Sequence, residues 1–279
     1  MYPYFPEEQT PEVAAKLSEL VGVGERNDTL YIHRNGFHRF SNALKNEMLI
    51  LITEIHQAHP EIYDLFLANR LSHEQINQLF KPGYVEAVFG IMEDFIEIEV
   101  TVNMLHDTHM YLNNLPDPAK TVISRYIRYH LSNHLNEFFI LTERISGLLK
   151  TVQRLYRKDA RVHKFTEHFK TMKNILTNTM NKIRRERNYH VHQKRYIDKD
   201  LEELESIEFD MHFQISNPKL INSLYIEKTE EYHKHWLAKV KGVNDLTDEM
   251  LDLLFAILEQ FLFSDQRNFI PPEELRKRR

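Results

Sequence analysis

Tyr84-Val-Glu-Ala-Val-Phe-Gly-Ile-Met-Glu-Asp-Phe-Ile-Glu-Ile-Glu-Val-Thr-Val-Asn-Met-Leu-His-Asp-Thr-His-Met-Tyr-Leu-Asn-Asn114 is the stretch on which the fold class turns. Ile96 to Val102 alternates apolar and polar residues, as a half-buried strand does. Over the whole stretch, however, Val88, Ile91, Phe95, Ile98, Val102, Leu105 and Leu112 keep the three-and-four spacing of one helix face, with His109 filling a slot. Seven alternating residues inside thirty of helical period read as helix. Leu115-Pro116-Asp117-Pro118 ends it, and Asp117 is a suitable cap for the next helix.

The same period recurs on both sides. Phe37, Phe40, Leu44, Met48, Leu51 and Ile55 form an amphipathic helix that stops before Pro60. Short helices are expected around 61–69 and 73–80, the second capped by Ser72 with Gln75 and terminated by Lys81-Pro82-Gly83. Thr10-Pro11-Glu12 opens a further helix to about Leu20, with a loop over 25–36. A long helix is expected from about 118 to 157, with Ile123, Ile127, Leu131, Leu135, Phe138, Ile145, Leu149 and Val152 as its stripe and Gly147 as a weak point. A basic helix comes next, striped by Val162, Phe165, Phe169, Met172, Leu176 and Ile183. Residues 200–210 read as an acidic helix. Asn217-Pro218 starts another that carries Leu220, Leu224, Trp236 and Leu237 to about Val240, and Gly242 separates it from a last helix over about 246–264. The expected architecture is all-α. It is a bundle of long antiparallel helices over 84–265, with an N-terminal helical extension over 1–80 and a basic tail over 266–279 that ends in Arg276-Lys277-Arg278-Arg279.

Composition narrows the chemistry. With no cysteine among 279 residues there is no disulfide, no thiolate metal site and no cysteine nucleophile, and the cytoplasm is the expected compartment. The first residues lack the basic start and apolar run of a signal peptide. Met250 to Phe263 is the most apolar run, but Asp252 and Glu259 interrupt it and it is too short to span a bilayer. No G-x-S-x-G elbow and no glycine-rich phosphate loop occurs. The net charge of −5 hides a segregation: residues 150–195 hold fourteen Lys or Arg against three acids, and residues 198–210 hold seven acids against Lys199. A basic block in an acidic chain fits a nucleic-acid footprint, and it equally fits a solvated face that pairs with the acids beside it.

Within the basic block, Arg184-Arg185-Glu186-Arg187-Asn188-Tyr189-His190-Val191-His192-Gln193-Lys194-Arg195-Tyr196 brings together a permanent cation, an amide and two imidazoles. The stripe of the basic helix runs on from Ile183 to Arg187, a charge where the period asks for an apolar residue. Arginine clamps phosphate through its fork of donors, and imidazole moves a proton near neutral pH. Arg187, Asn188 and His192 read R-N-x-x-x-H. This resembles the signature of the HEPN superfamily, all-helical domains many of which are metal-independent endoribonucleases. The resemblance covers the six-residue motif and the architecture over about 84–265. It implies a homodimer whose two motifs face each other across a twofold. By that resemblance His192 is general acid or base for attack by the RNA 2′-hydroxyl, Arg187 holds the scissile phosphate and Asn188 orients the pair. The products are a 2′,3′-cyclic phosphate and a 5′-hydroxyl. Lys182, Arg184, Arg185, Lys194 and Arg195 are the RNA-binding candidates around it. No cofactor or metal is required, and a protein antitoxin or regulator is a further partner implied by analogy with toxin-antitoxin and antiviral defence systems.

Helical geometry leaves the working imidazole open. Asn188 and His192 lie about 40° apart on a helix, Arg187 and His192 about 140°, and Arg187 and His190 about 60°. Arginine's reach or a partner chain closes the gap to His192, or His190 does the work. Two other classes remain. One is a catalytically inactive helical module that binds RNA or protein. The other is a metal-binding bundle, suggested by His130/His134 at zinc spacing, by His106/His109, and by Glu230/His233, half of a di-iron motif whose second half is missing.

Overall fold

The computed structural model describes residues 35–58, 60, 84–118, 121–163, 165–171, 173–174, 178, 199–264 and 268–272. Five helices carry them: α1 (Gly36–Ala58), α2 (Tyr84–Asn113), α3 (Ile123–Leu155), α4 (Lys199–Phe213) and α5 (Pro218–Leu262). Residues 160–163 and 165–171 are also helical. Among the described residues there is no strand, only an isolated antiparallel bridge between Phe263 and Phe269. The fold is all-α. No helix among these residues is long and apolar enough to cross a membrane. The helices expected over 10–20, 61–69 and 73–80, and the basic tail from Arg276, lie outside the described residues.

In α2 the alternating stretch resolves as a helix for a visible reason. A strand would put Ile96, Ile98, Val100 and Val102 on one face. Here Ile98 and Val102 are buried, while Ile96 and Val100 are 41% and 42% exposed on the other side. The gap in the stripe between Leu105 and Leu112 is filled by Thr108, not His109. Thr108 is satisfied inside the helix, its hydroxyl donating to the Met104 carbonyl. A small hydroxyl that bonds one turn back buries more cheaply than an imidazole.

The chain divides into two compact units whose boundaries fall within α2, α3 and α5. Among the described residues, the first unit holds 99–118, 121–143, 178 and 199–247. Its core is built from Leu105, Ile127, Leu131, Leu204, Tyr232, Trp236 and Val240. The α3 helix begins at Ile123, later than the expected 118, because its first turn is held by a distant carboxylate. Glu208 of α4 accepts from the Ser124 N–H at 3.0 Å and from its hydroxyl. The Asn217 side chain accepts from the Lys219 N–H at 3.0 Å, so Asn217 is the N-cap of α5 as expected.

Two expectations for α5 are corrected. The helix runs 45 residues, through Gly242 without a break. Glycine stops a helix when the chain turns left-handed after it, and here Val240, Val243 and Thr247 continue the buried stripe across the position. Nor is the stripe the one aliphatic spacing suggests. Trp236 is buried as expected, but Leu220 is 70% exposed, and Ile221, Tyr225 and Tyr232 go in instead. The two tyrosines are admitted because Glu208 and Glu203 accept from their hydroxyls.

The second unit holds α1, residues 84–98, residues 144–174 among those described, and the chain from Asp248. Phe37 and Phe40 of α1, Phe95 of α2 and Phe255 of α5 pack with ring centroids 5.0 to 5.3 Å apart. The helix that the sequence places in an N-terminal extension thus supplies half of this cluster. The two acids that interrupt the apolar run of α5 also belong to α1. Asp252 accepts from the Asn35 and Phe37 N–H groups, both at 3.1 Å, and Glu259 pairs with Arg39 at 2.9 Å. Four N–H groups at a helix start have no intrahelical partner, and a carboxylate there is favoured by the helix dipole as well. Gly36 makes the approach possible. A Cβ there would collide with the Asp252 carbonyl oxygen and lie 2.9 Å from the Ala256 Cβ. The α3 helix passes Gly147 unbroken.

Candidate functional site

Arg187, Asn188, His190 and His192, with Lys182, Arg184, Arg185, Lys194 and Arg195, lie outside the described residues, as do the stripe positions Met172, Leu176 and Ile183. The structure gives the anchoring of the chain on either side. Upstream, Asp159 caps the basic helix by accepting from the Arg161 N–H at 3.0 Å, and its carboxylate takes the Arg161 guanidinium on both oxygens, at 3.0 and 2.8 Å. Arg161 also donates to the Phe261 carbonyl, and its guanidinium stands over the Tyr156 and Phe261 rings at 5.5 and 5.4 Å. Phe165 and Phe169 pack on Phe261. One cation of the basic block is therefore structural: Arg161 locks the turn that starts the helix.

Downstream, α4 enters the core of the first unit through Leu201, Leu204 and Ile207. Its acids have partners on other helices. Glu203 accepts from Tyr232, Glu205 pairs with Arg128 of α3, and Glu208 takes Ser124 and Tyr225. Burial, and then the Glu208 charge, push the Tyr225 phenol up to about 12, so it stays protonated and donates. These three carboxylates are engaged by α3 and α5. Glu205 is already paired with a cation, whereas Glu203 and Glu208 accept from neutral hydroxyls and keep their charge.

Three of the histidines considered for metal have other partners. His134 is buried, and its Nε2 bonds the Asn244 side chain at 2.9 Å. His130, one turn earlier, sits among Tyr111, Tyr126 and Tyr129. His233 donates from Nε2 to the Leu112 carbonyl at 2.7 Å. Among the described residues, no three His, Asp or Glu side chains are placed to hold a metal ion.

Sequence reasoning missed two features. The Asn244 side chain reaches across to both His134 and the Leu105 carbonyl, over separations of 110 and 139 residues that no local pattern encodes. The aromatic cluster does leave a signal, in that Tyr126, Tyr129 and His130 are spaced three and four apart, neighbours on one helix face. Comparison with known proteins finds no match to a protein-family model, a curated protein or a solved structure.

Proposed function

We propose that the chain is a metal-independent endoribonuclease that cleaves RNA through attack of a ribose 2′-hydroxyl on the adjacent phosphate. The observation that carries the reading is the R-N-x-x-x-H spacing of Arg187, Asn188 and His192 inside the most basic stretch of an all-α chain. The pairing of Glu205 with Arg128 supports it, because it takes one acid from the block that would otherwise neutralise that basic stretch. In the proposed reaction His192, or His190 in its place, takes the 2′-hydroxyl proton, and a protonated imidazole returns one to the departing 5′-oxygen. Arg187 holds the non-bridging phosphate oxygens as charge builds on them, and Asn188 positions the imidazole. The 2′-oxygen–phosphorus bond forms as the phosphorus–5′-oxygen bond breaks, leaving a 2′,3′-cyclic phosphate and a 5′-hydroxyl. Two motifs across a homodimer twofold would form one site, in a toxin or antiviral setting with a protein regulator. The test is His192→Ala. It should abolish cleavage with helix content and oligomeric mass unchanged, and cleavage at the wild-type rate would contradict the proposal.

A second reading is a catalytically silent module that binds RNA or a protein. It is favoured by exposed Phe209, Phe213 and Ile215 around the α4 C-terminus, where the two phenyl rings lie 4.4 Å apart in the open. Its mark is RNA affinity that falls steeply with salt and no strand breakage.

A further inference from the structure

On the surface of the first unit, where the end of α2 meets the start of α3, four aromatic rings form an ordered cluster. The Tyr111 ring stacks on His130 at 4.9 Å and 28°. Tyr126 and Tyr129 meet the same imidazole edge-on, at 4.4 and 5.1 Å. The Tyr126 hydroxyl donates to the Tyr111 carbonyl at 3.0 Å, tying the two helices together beneath the rings. Yet the cluster is not core. Tyr129 is 63% exposed and Tyr111 44%. Rings that hold one another in place while two of them stay exposed have already lost the freedom that binding would otherwise cost them. Arg125 is exposed four residues before Tyr129, and that spacing puts its cation on the same helix face. Burial holds the His130 imidazole below its ordinary range.

We infer that the exposed Tyr129 ring, held edge-on by His130 beside Tyr111, is a stacking platform for an unpaired base of single-stranded RNA, with Arg125 touching the adjoining phosphate. Every base has a π-face, so such a platform grips single strands with little regard to sequence, whereas a duplex hides those faces from it. Tyrosines offer flat rings with hydroxyls at their rims, suited to a base and its ribose. This inference rests on the ribonuclease reading, and it specifies the substrate as unpaired RNA held at a site separate from the cleaving motif.

The test is binding of a fluorescein-labelled 2′-O-methyl oligouridine of about twelve nucleotides, a length on the scale of single-strand sites. This oligonucleotide lacks the 2′-hydroxyl nucleophile and cannot be cut, so binding is read apart from cleavage. Tyr129→Ala should weaken binding about tenfold or more, the scale set by losing one stacked base, and Tyr129→Phe should retain it. The salt dependence of binding should be the same for wild type and Tyr129→Ala, because no ion pair is removed, and shallower for Arg125→Ala. Circular dichroism confirms that the variants, altered at exposed side chains, are folded. Equal affinity of wild type and Tyr129→Ala, equal preference for duplex, or no binding by wild type overturns the platform. If those results accompany cleavage that depends on His192, the ribonuclease reading stands without it. If Tyr129→Ala loses binding while wild type cuts no RNA, the platform stands and the ribonuclease reading fails.

Discussion

His134 and Asn244, 110 residues apart in the chain, are joined by a 2.9 Å hydrogen bond inside the first unit. The direction of that bond is set by a second one. Asn244 donates through Nδ2 to the Leu105 carbonyl at 3.1 Å, so its Oδ1 faces His134 and must accept. His134 therefore carries its proton on Nε2, and the buried Nδ1 has no hydrogen-bond partner. A second proton would put a charge in the core. Burial is the main reason that the imidazole is pulled down to about 4, with the nearby His106 adding to it and the Asn244 bond opposing it.

Stability should therefore change with pH. The unfolded chain protonates this histidine near its ordinary 6.5, and the folded chain only near 4. Its contribution is whole above about pH 6.5 and is lost as pH falls toward 4, a difference of about 3 kcal/mol. Urea midpoints across pH 4 to 7 should show this slope. His134→Gln, which cannot titrate, should flatten that part of the profile, and an unchanged slope in the variant would assign the effect to other groups.

Gly36 should tolerate no side chain. Its missing Cβ is what lets the α1 N-terminus approach Asp252 and Ala256. Gly36→Ala is expected to cost about 1–3 kcal/mol, the scale of overpacking, read as a lower denaturation midpoint. Asp252→Ala should cost about 1 kcal/mol through the lost cap. A neutral Gly36→Ala would mean that α1 does not dock as described.

Gly242 should behave in the opposite way. It lies inside α5 with open space where a Cβ would go. Gly242→Ala should therefore raise stability by about 1 kcal/mol, as alanine does in a helix interior. If the chain instead broke at this position with glycine in a left-handed conformation, alanine would destabilise, and the sign of the shift decides between one helix and two.

The parts of this fold legible in the sequence are those set by local period. The buried stripes of α2 and α3, the Asn217 cap and the acidic helix over 200–210 all depend on residues within a few turns of one another. The parts that are not legible depend on partners far away in the chain. Asp252 and Glu259 look like interruptions of an apolar run until α1 is laid against them. The α3 start is moved to Ile123 by Glu208, and the α5 stripe shifts to Tyr225 and Tyr232 because carboxylates on α4 accept their hydroxyls. Gly242 misleads for a different reason: a glycine signals a stop only when the chain after it turns, and residue type alone does not say whether it does. The site is the reverse case. Arg187, Asn188 and His192 are legible as a motif, and their geometry lies outside the described residues.

The most direct measurement is incubation of wild type and the Arg187→Ala/His192→Ala double variant with total RNA in EDTA. Wild type alone should cleave, with products ending in 2′,3′-cyclic phosphate. Equal cleavage by both proteins, or cleavage that EDTA abolishes, would contradict the ribonuclease reading.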